Sequence, residues 1–291
     1  MNEDLLEKIK KITLIALASD DYLMETLVLK GGNAIQMAYK INKRGSFDMD
    51  FSMESDFEDI ENIKNRLQAT LEKTFDEYEY AIFDFDFRER PSNLTGDLQT
   101  FWGGYKVGFK ICSKSDFVSS NGEINDTLRR KAIPLNPNNR SPKLEIEISK
   151  FEYVQDKRPI DFDGYTIYIY APEMIILEKM RAICQQNDEY SEIIHTKTQR
   201  ERAKDFYDIY ILITHFDVDI FKPECKEMLK SIFAAKKVPL EYMNLVYKYK
   251  DRHESGFKAV KATVSQSEKT ESFDYYFDYV IDIFKQLSET L

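Results

Sequence analysis

Between Leu27 and Met53 the chain reads as strand, tight turn, short helix, second turn and second strand, which fits few folds. Leu27-Val28-Leu29 is a short apolar run. Lys30-Gly31-Gly32-Asn33 breaks it, and Arg44-Gly45-Ser46 leads into Phe47-Asp48-Met49-Asp50-Phe51-Ser52-Met53. Side chains two apart on a strand share a face, so Asp48 and Asp50 project together while Phe47, Met49 and Phe51 point into a core. Two carboxylates held side by side repel unless positive charge sits between them. A divalent cation carrying nucleotide phosphates suits such hard oxygen ligands. Gly31 and Gly32 allow the backbone to come close to a ligand. A helix starting near Asn33 would turn its first amides toward a phosphate. Lys30 adds a charge at the same edge, and Ser46 adds a hydroxyl.

The apolar spacing predicts a helix over 5–23, a strand at 26–29, a short helix over 33–41, the Asp-bearing strand over 47–53 and a helix over 58–78. Strands follow at 80–87, 105–112, 143–151 and 165–170, with a loop over 119–141 holding one helical turn near 126–131. Pro172 opens a helical region with helices expected over 174–186, 198–213, 222–235, 240–250 and 272–287. The expectation is an α+β protein: a mixed twisted sheet in residues 1–170, then a helical bundle domain in 171–291.

Further candidates lie downstream. Glu145 and Glu147 share the polar face of their strand, and either can supply a third carboxylate. Asp84 and Asp86 repeat the spacing of the first pair without its glycine and serine turns, and read as surface alternation. Asp205 and Asp208 lie three apart on one helix face, beside the apolar Phe206, Ile209 and Ile213. Asp205 can orient Lys179 or meet a nucleotide; the plainer alternative is a surface salt bridge to Arg202 or Lys204.

The ordered set Lys30-Gly31-Gly32, then Arg44, Ser46, Asp48 and Asp50, then Lys179, then Lys204-Asp205-x-x-Asp208 resembles the AbiEii/AbiGii-type nucleotidyltransferases. These are a branch of the polymerase-β-like superfamily, often toxins of type IV toxin–antitoxin or abortive-infection systems. The resemblance implies a metal-dependent enzyme (Mg²⁺ or Mn²⁺) that moves a nucleoside monophosphate from an NTP to an acceptor such as the 3′ end of tRNA. It implies metal ligands at Asp48, Asp50 and Glu147, with Glu147 alternatively a general base and Glu145 the second choice. Lys30, Gly31, Gly32 and Ser46 would line the nucleotide, and Lys179 with Asp205 would face its phosphates. It also implies a separate antitoxin, and a monomer fits. Asn33 departs from the pattern, since relatives often carry a small hydroxyl residue there. Two other readings stay open: a nucleotide-binding module without turnover, and a superfamily enzyme acting on a small molecule or protein.

Composition narrows the field. With 41 basic and 51 acidic residues the formal charge is −10, unlike a protein that coats nucleic acid. Basic segments occur at Arg129-Arg130-Lys131 with Arg140 and Lys143, at Lys197–Lys204, and at Lys248–Lys261. Each is more often a solvated face than a binding surface. Cys112, Cys184 and Cys225 lack paired spacing, and three scattered histidines argue against a zinc centre; both fit a cytoplasmic protein. No secretory leader or membrane span is expected, and neither a Walker phosphate loop nor a nucleophile triad is visible.

Overall fold

In a computed structural model the described residues are 3–41, 48–135, 141–195, 198–264 and 270–291. The chain divides into two compact units, each drawn from separated stretches. One holds the described residues within 1–34, 46–99 and 103–169; the other holds those within 35–45, 100–102 and 170–291.

The first unit is built on a mixed sheet of seven strands among the described residues, in the order β3-β4-β5-β2-β1-β7-β6. Helix α1 (Glu3–Ala18) and α2 (Asp21–Thr26) precede β1 (Val28–Leu29). The single helix expected over 5–23 is thus two. Asp20 caps α2 by accepting from the Leu23 amide at 3.0 Å, and the Arg66 guanidinium holds its other oxygen at 2.7 Å. After β1 comes the turn α3 (Gly31–Asn33), which continues as a π-helical segment, Ala34–Ala38. The helix therefore begins two residues before Asn33. Then follow β2 (Met49–Ser52), α4 (Ile60–Glu77), β3 (Tyr80–Arg90) and β4 (Gly104–Ser113). The short helix α5 (Lys114–Ser119) precedes the expected loop, and α6 (Asp126–Arg130) is the helical turn expected within it. The unit closes with β5 (Lys143–Ser149) and the antiparallel hairpin β6 (Arg158–Phe162) and β7 (Tyr165–Ile169).

Alternation decides which face each strand buries. Met49, Phe51, Ile146, Ile148, Val107, Phe109 and Ile111 are all buried. α4 lays Leu67, Leu71 and Phe75 on that side, and Phe75 meets Phe109 edge-on at 5.6 Å. Burying such an aromatic is worth about 1.5–3 kcal/mol. The opposite face carries the charges, so the core fixes the register that aligns them.

In the second unit the elements from Pro172 onward are helices: α7 (Pro172–Cys184), α8 (Ala203–Phe216), α9 (Pro223–Ala235), a 3-10 stretch over Leu240–Tyr249, then α10 (Lys250–Glu254), α11 (Phe257–Thr263) and α12 (Phe273–Thr290). α7 is buried nearly all round, unlike a surface helix. α12 buries Phe273, Tyr276, Phe277, Val280, Ile283, Phe284 and Leu287 as one stripe. Phe206 of α8 packs against Phe273, Phe277 and His253 at ring distances of 5.2–5.5 Å. Two segments from earlier in the chain join this unit: Tyr39 packs on Phe216 and donates to the Tyr170 carbonyl, and the Lys236 ammonium donates to the Phe101 carbonyl. The three cysteines are free and buried. Among the described residues no helix is long and apolar enough to cross a membrane.

Candidate active site

The first unit places the Asp-bearing strand at the centre of the sheet. β2 pairs antiparallel with β1 and parallel with β5, and Asp50 stands directly opposite Glu147. Asp48 lies just before β2, beside the end of β5 that carries Glu145. Asp48, Asp50, Glu145 and Glu147 therefore share the polar face, as the two-residue period requires. Glu147 is opposite Lys106 of β4, and Lys106 is opposite Arg88 of β3. One row of charge, Asp50–Glu147–Lys106–Arg88, thus crosses four strands.

The glycine turn is shaped to this row. Gly31 has φ +66°, and a Cβ there would meet the Asp50 Oδ2 at 3.0 Å. A bare backbone lets the carboxylate rest against the turn. Gly32, half-buried, follows in the same turn. Asn33 is fully buried, and its amide nitrogen donates to the Asp48 carbonyl at 2.5 Å, tying the turn to the start of β2. Its Oδ1 has no partner among the described residues. Lys30 is buried; its ammonium is 3.2 Å from Ser149 Oγ and 3.6 Å from Glu152. Lys30 thus anchors the turn to β5 and the residues after it. Ser46, Arg44 and Phe47 lie outside the described residues.

The charges explain the electrostatics. Burial, then repulsion from Glu147 and Glu145, raises the Asp48 carboxyl above the usual carboxylate range, against the pull of Lys106 and Lys10. Lys10 of α1 is almost fully buried; burial brings its ammonium down to about 8, with Glu7, Asp48 and Asp50 resisting. Lys106 sits 2.8 Å from Glu145 and 3.5 Å from Glu147, and these carboxylates outweigh burial and raise its pKa. The oxygen donors on adjacent rungs fit a hard divalent ion. Among the described residues, however, no three acidic, histidine or cysteine side chains already converge as a metal cage.

The second Asp pair of the sheet is otherwise engaged. Asp84 sits at a register shift in β3 with φ +50°, and binds Lys110 at 2.8 Å and Arg129 at 3.1 Å. Asp86 takes Lys143 at 3.3 Å, whose stem crosses Gly108, where a Cβ would lie 2.0 Å from Lys143 Cε. The pair pins α6 and the strand edges rather than merely alternating at the surface. The basic residues Arg129, Lys143 and Arg252 are likewise taken up by internal ion pairs. Arg140 and Lys197 lie outside the described residues.

The second unit holds the other candidates. Lys179 on α7 is buried, 2.7 Å from Asp205 and 2.8 Å from Asp208 on α8. Burial opposes its charge, but the two carboxylates outweigh it and hold the ammonium protonated well above the ordinary lysine range. Asp205 also takes Arg202 at 3.4 Å. The helix-face carboxylates therefore face inward to Lys179, and the partner expected at Arg202 is present too. Beside them stands His253, a residue without a sequence motif. It is fully buried, and its Nδ1 accepts from the Arg202 amide at 3.2 Å. Its Nε2 has no partner among the described residues. Burial, then Arg252, lowers its pKa to about 4.

Among solved structures, the chain is similar to a candidate nucleotidyltransferase from H. pylori, at 16% identity over 100% of this chain and 99% of that one, TM-score 0.48. It is similar to JHP933 from Helicobacter pylori, at 17% identity over 100% and 96%, TM-score 0.47. An antigenic nucleotidyltransferase-like protein from Paracoccidioides brasiliensis gives 17% identity over 92% and 97%, TM-score 0.40. No curated protein sequence matches. The family described as nucleotidyl transferase AbiEii toxin of type IV toxin–antitoxin systems matches residues 13–279. With almost its whole length matched, and with the Gly31 turn, Asp48 and Asp50 inside the match, the chain belongs to the AbiEii family and is a nucleotidyltransferase.

Proposed function

We propose that this chain moves a nucleoside monophosphate from an NTP to an acceptor hydroxyl, using divalent ions held by Asp48, Asp50 and Glu147. The observation that carries the reading is the rung on which Asp50 and Glu147 stand opposite each other, with the Asp50 carboxylate against the Gly31 turn. Bound Mg²⁺ or Mn²⁺ would supply positive charge to the phosphate and to the attacking and leaving oxygens. Asp48 and Asp50 carry the negative charge that recruits such ions. Glu147, half exposed, can hold an ion or accept the proton of the acceptor hydroxyl. Lys30, Gly31 and Gly32 shape the phosphate side of the turn, and Ser46 is proposed to complete it. Lys179 and Asp205 are proposed to act on the nucleotide from the helical bundle domain, over residues 171–291; the buried contact between them supports Asp205 orienting the lysine.

The acceptor is proposed to be tRNA or another RNA, and an antitoxin is proposed to restrain the enzyme, as the family's name implies for its members. A small-molecule or protein acceptor is favoured by one observation: the net charge is −10, and several basic residues are spent on internal pairs. The deciding experiment supplies α-labelled NTPs one at a time, with Mg²⁺, to total tRNA and to cell extract. Label should enter one acceptor class with the wild type and vanish with Asp48→Ala. NTP binding with no labelled product from any acceptor would favour the binding module without turnover.

A further inference from the structure

Lys106 is a member of the charged row that no motif marks. It stands on β4 directly opposite Glu147, which in turn stands opposite Asp50 of β2. Neighbouring strands are about 4.8 Å apart. A carboxylate on the middle strand can therefore lean toward only one neighbour. Lys106 sits 2.8 Å from Glu145 and 3.5 Å from Glu147, so one ammonium from β4 engages both glutamates of the middle strand. Four carboxylates share a face among the described residues, yet no three of them converge.

We propose that Lys106 is a resident counter-cation that competes with the divalent ion for Glu147, and so a positioning residue for the third carboxylate. The inference rests on the metal reading above. For Asp50 and Glu147 to share an ion, Glu147 must give up its contact with the ammonium and turn toward β2. Glu145, the nearer partner, keeps Lys106 charged and in place through that exchange. Of the two glutamates, Glu147 is thus the transferable ligand and Glu145 the fixed partner of the lysine. Lys106 makes the binding of a bare cation weaker than the four carboxylates alone would give. It also relieves their mutual repulsion while no ion is bound.

The test is calorimetric titration of Mn²⁺ into the full chain without nucleotide, which does not depend on turnover. Lys106→Gln should tighten Mn²⁺ binding on the order of tenfold, since a charge-assisted hydrogen bond is removed from the competing state. Lys106→Arg should stay near wild type. Adding Glu147→Gln to Lys106→Gln should abolish the gain. Lys106→Met, which keeps the apolar stem, stands in if the glutamine variant does not fold. Unchanged or weaker binding in the neutral variants would overturn the proposal. If the wild type binds Mn²⁺ through Asp50, judged by its loss in Asp50→Asn, that same result would leave the metal reading intact. No binding by any variant would overturn both.

Discussion

At Gly31 a backbone angle and a carboxylate contact impose the same requirement. Its φ of +66° costs a side-chain-bearing residue about 1–2 kcal/mol, and a Cβ would also press on the Asp50 carboxylate. Gly31→Ala should therefore lower stability by about that amount and lower transfer more than stability alone explains. Denaturant titration beside a transfer assay separates the two. Lys179 invites the opposite result. Removing it strands Asp205 and Asp208 in a buried site, so Lys179→Met should cost about 3–5 kcal/mol of unfolding free energy, read by urea denaturation. A loss of activity there would need to be corrected for folding. Asp48, Asp50, Gly31 and the Glu145/Glu147 pair were legible because two-residue and turn periodicities fix where such side chains point. Lys106 and His253 were not, because neither belongs to a local pattern. Lys106 acquires its partners only through the β4–β5 register, and His253 is held from 51 positions away by the Arg202 amide.

Among the elements, the strongly periodic ones were readable and the broken ones were not. α4 and α12 match their apolar spacing to within a few residues. The break between α1 and α2 escaped because Leu23 resumes the helical spacing of Ile9, Ile12 and Ala16 across the polar Ser19-Asp20-Asp21; the stop comes from Asp20, whose side chain caps the Leu23 amide. Hairpin strand β6 was missed because Arg158-Pro159-Ile160-Asp161-Phe162 carries proline and charge, which mark an edge strand and blur the alternation. The short 3-10 stretch at Leu240–Tyr249 has the same apolar content as an α-helix. Asp20→Ala should cost about 0.5–2 kcal/mol through the lost cap, the release of Arg66 adding to the effect, measured as a lowered melting temperature.

For the whole molecule, His253 is one source of pH dependence on the acid side. His253 has its folded pKa near 4, below the ordinary value near 6.5, so the unfolded chain binds its proton first. Its contribution is full above about 6.5 and is lost as pH falls from there toward 4. That loss is at most about 3 kcal/mol. Melting temperature followed from pH 7 to pH 4 should fall less steeply in His253→Gln than in wild type. The sequence placed the sheet first and the helices second, and the elements follow that order. It gave no sign that residues 35–41 and 100–102 are drawn into the helical unit, since such a return leaves no mark on local composition. Tyr39, Phe101 and Trp102 make their contacts with Phe216, Lys236 and Tyr190. These interleaved segments bear on inheritance. A recombination event joining the front half of one relative to the back half of another would separate Tyr39 and Trp102 from the residues they pack against. The two halves of such a gene are bound to diverge together, however freely their acceptor or partner surfaces change.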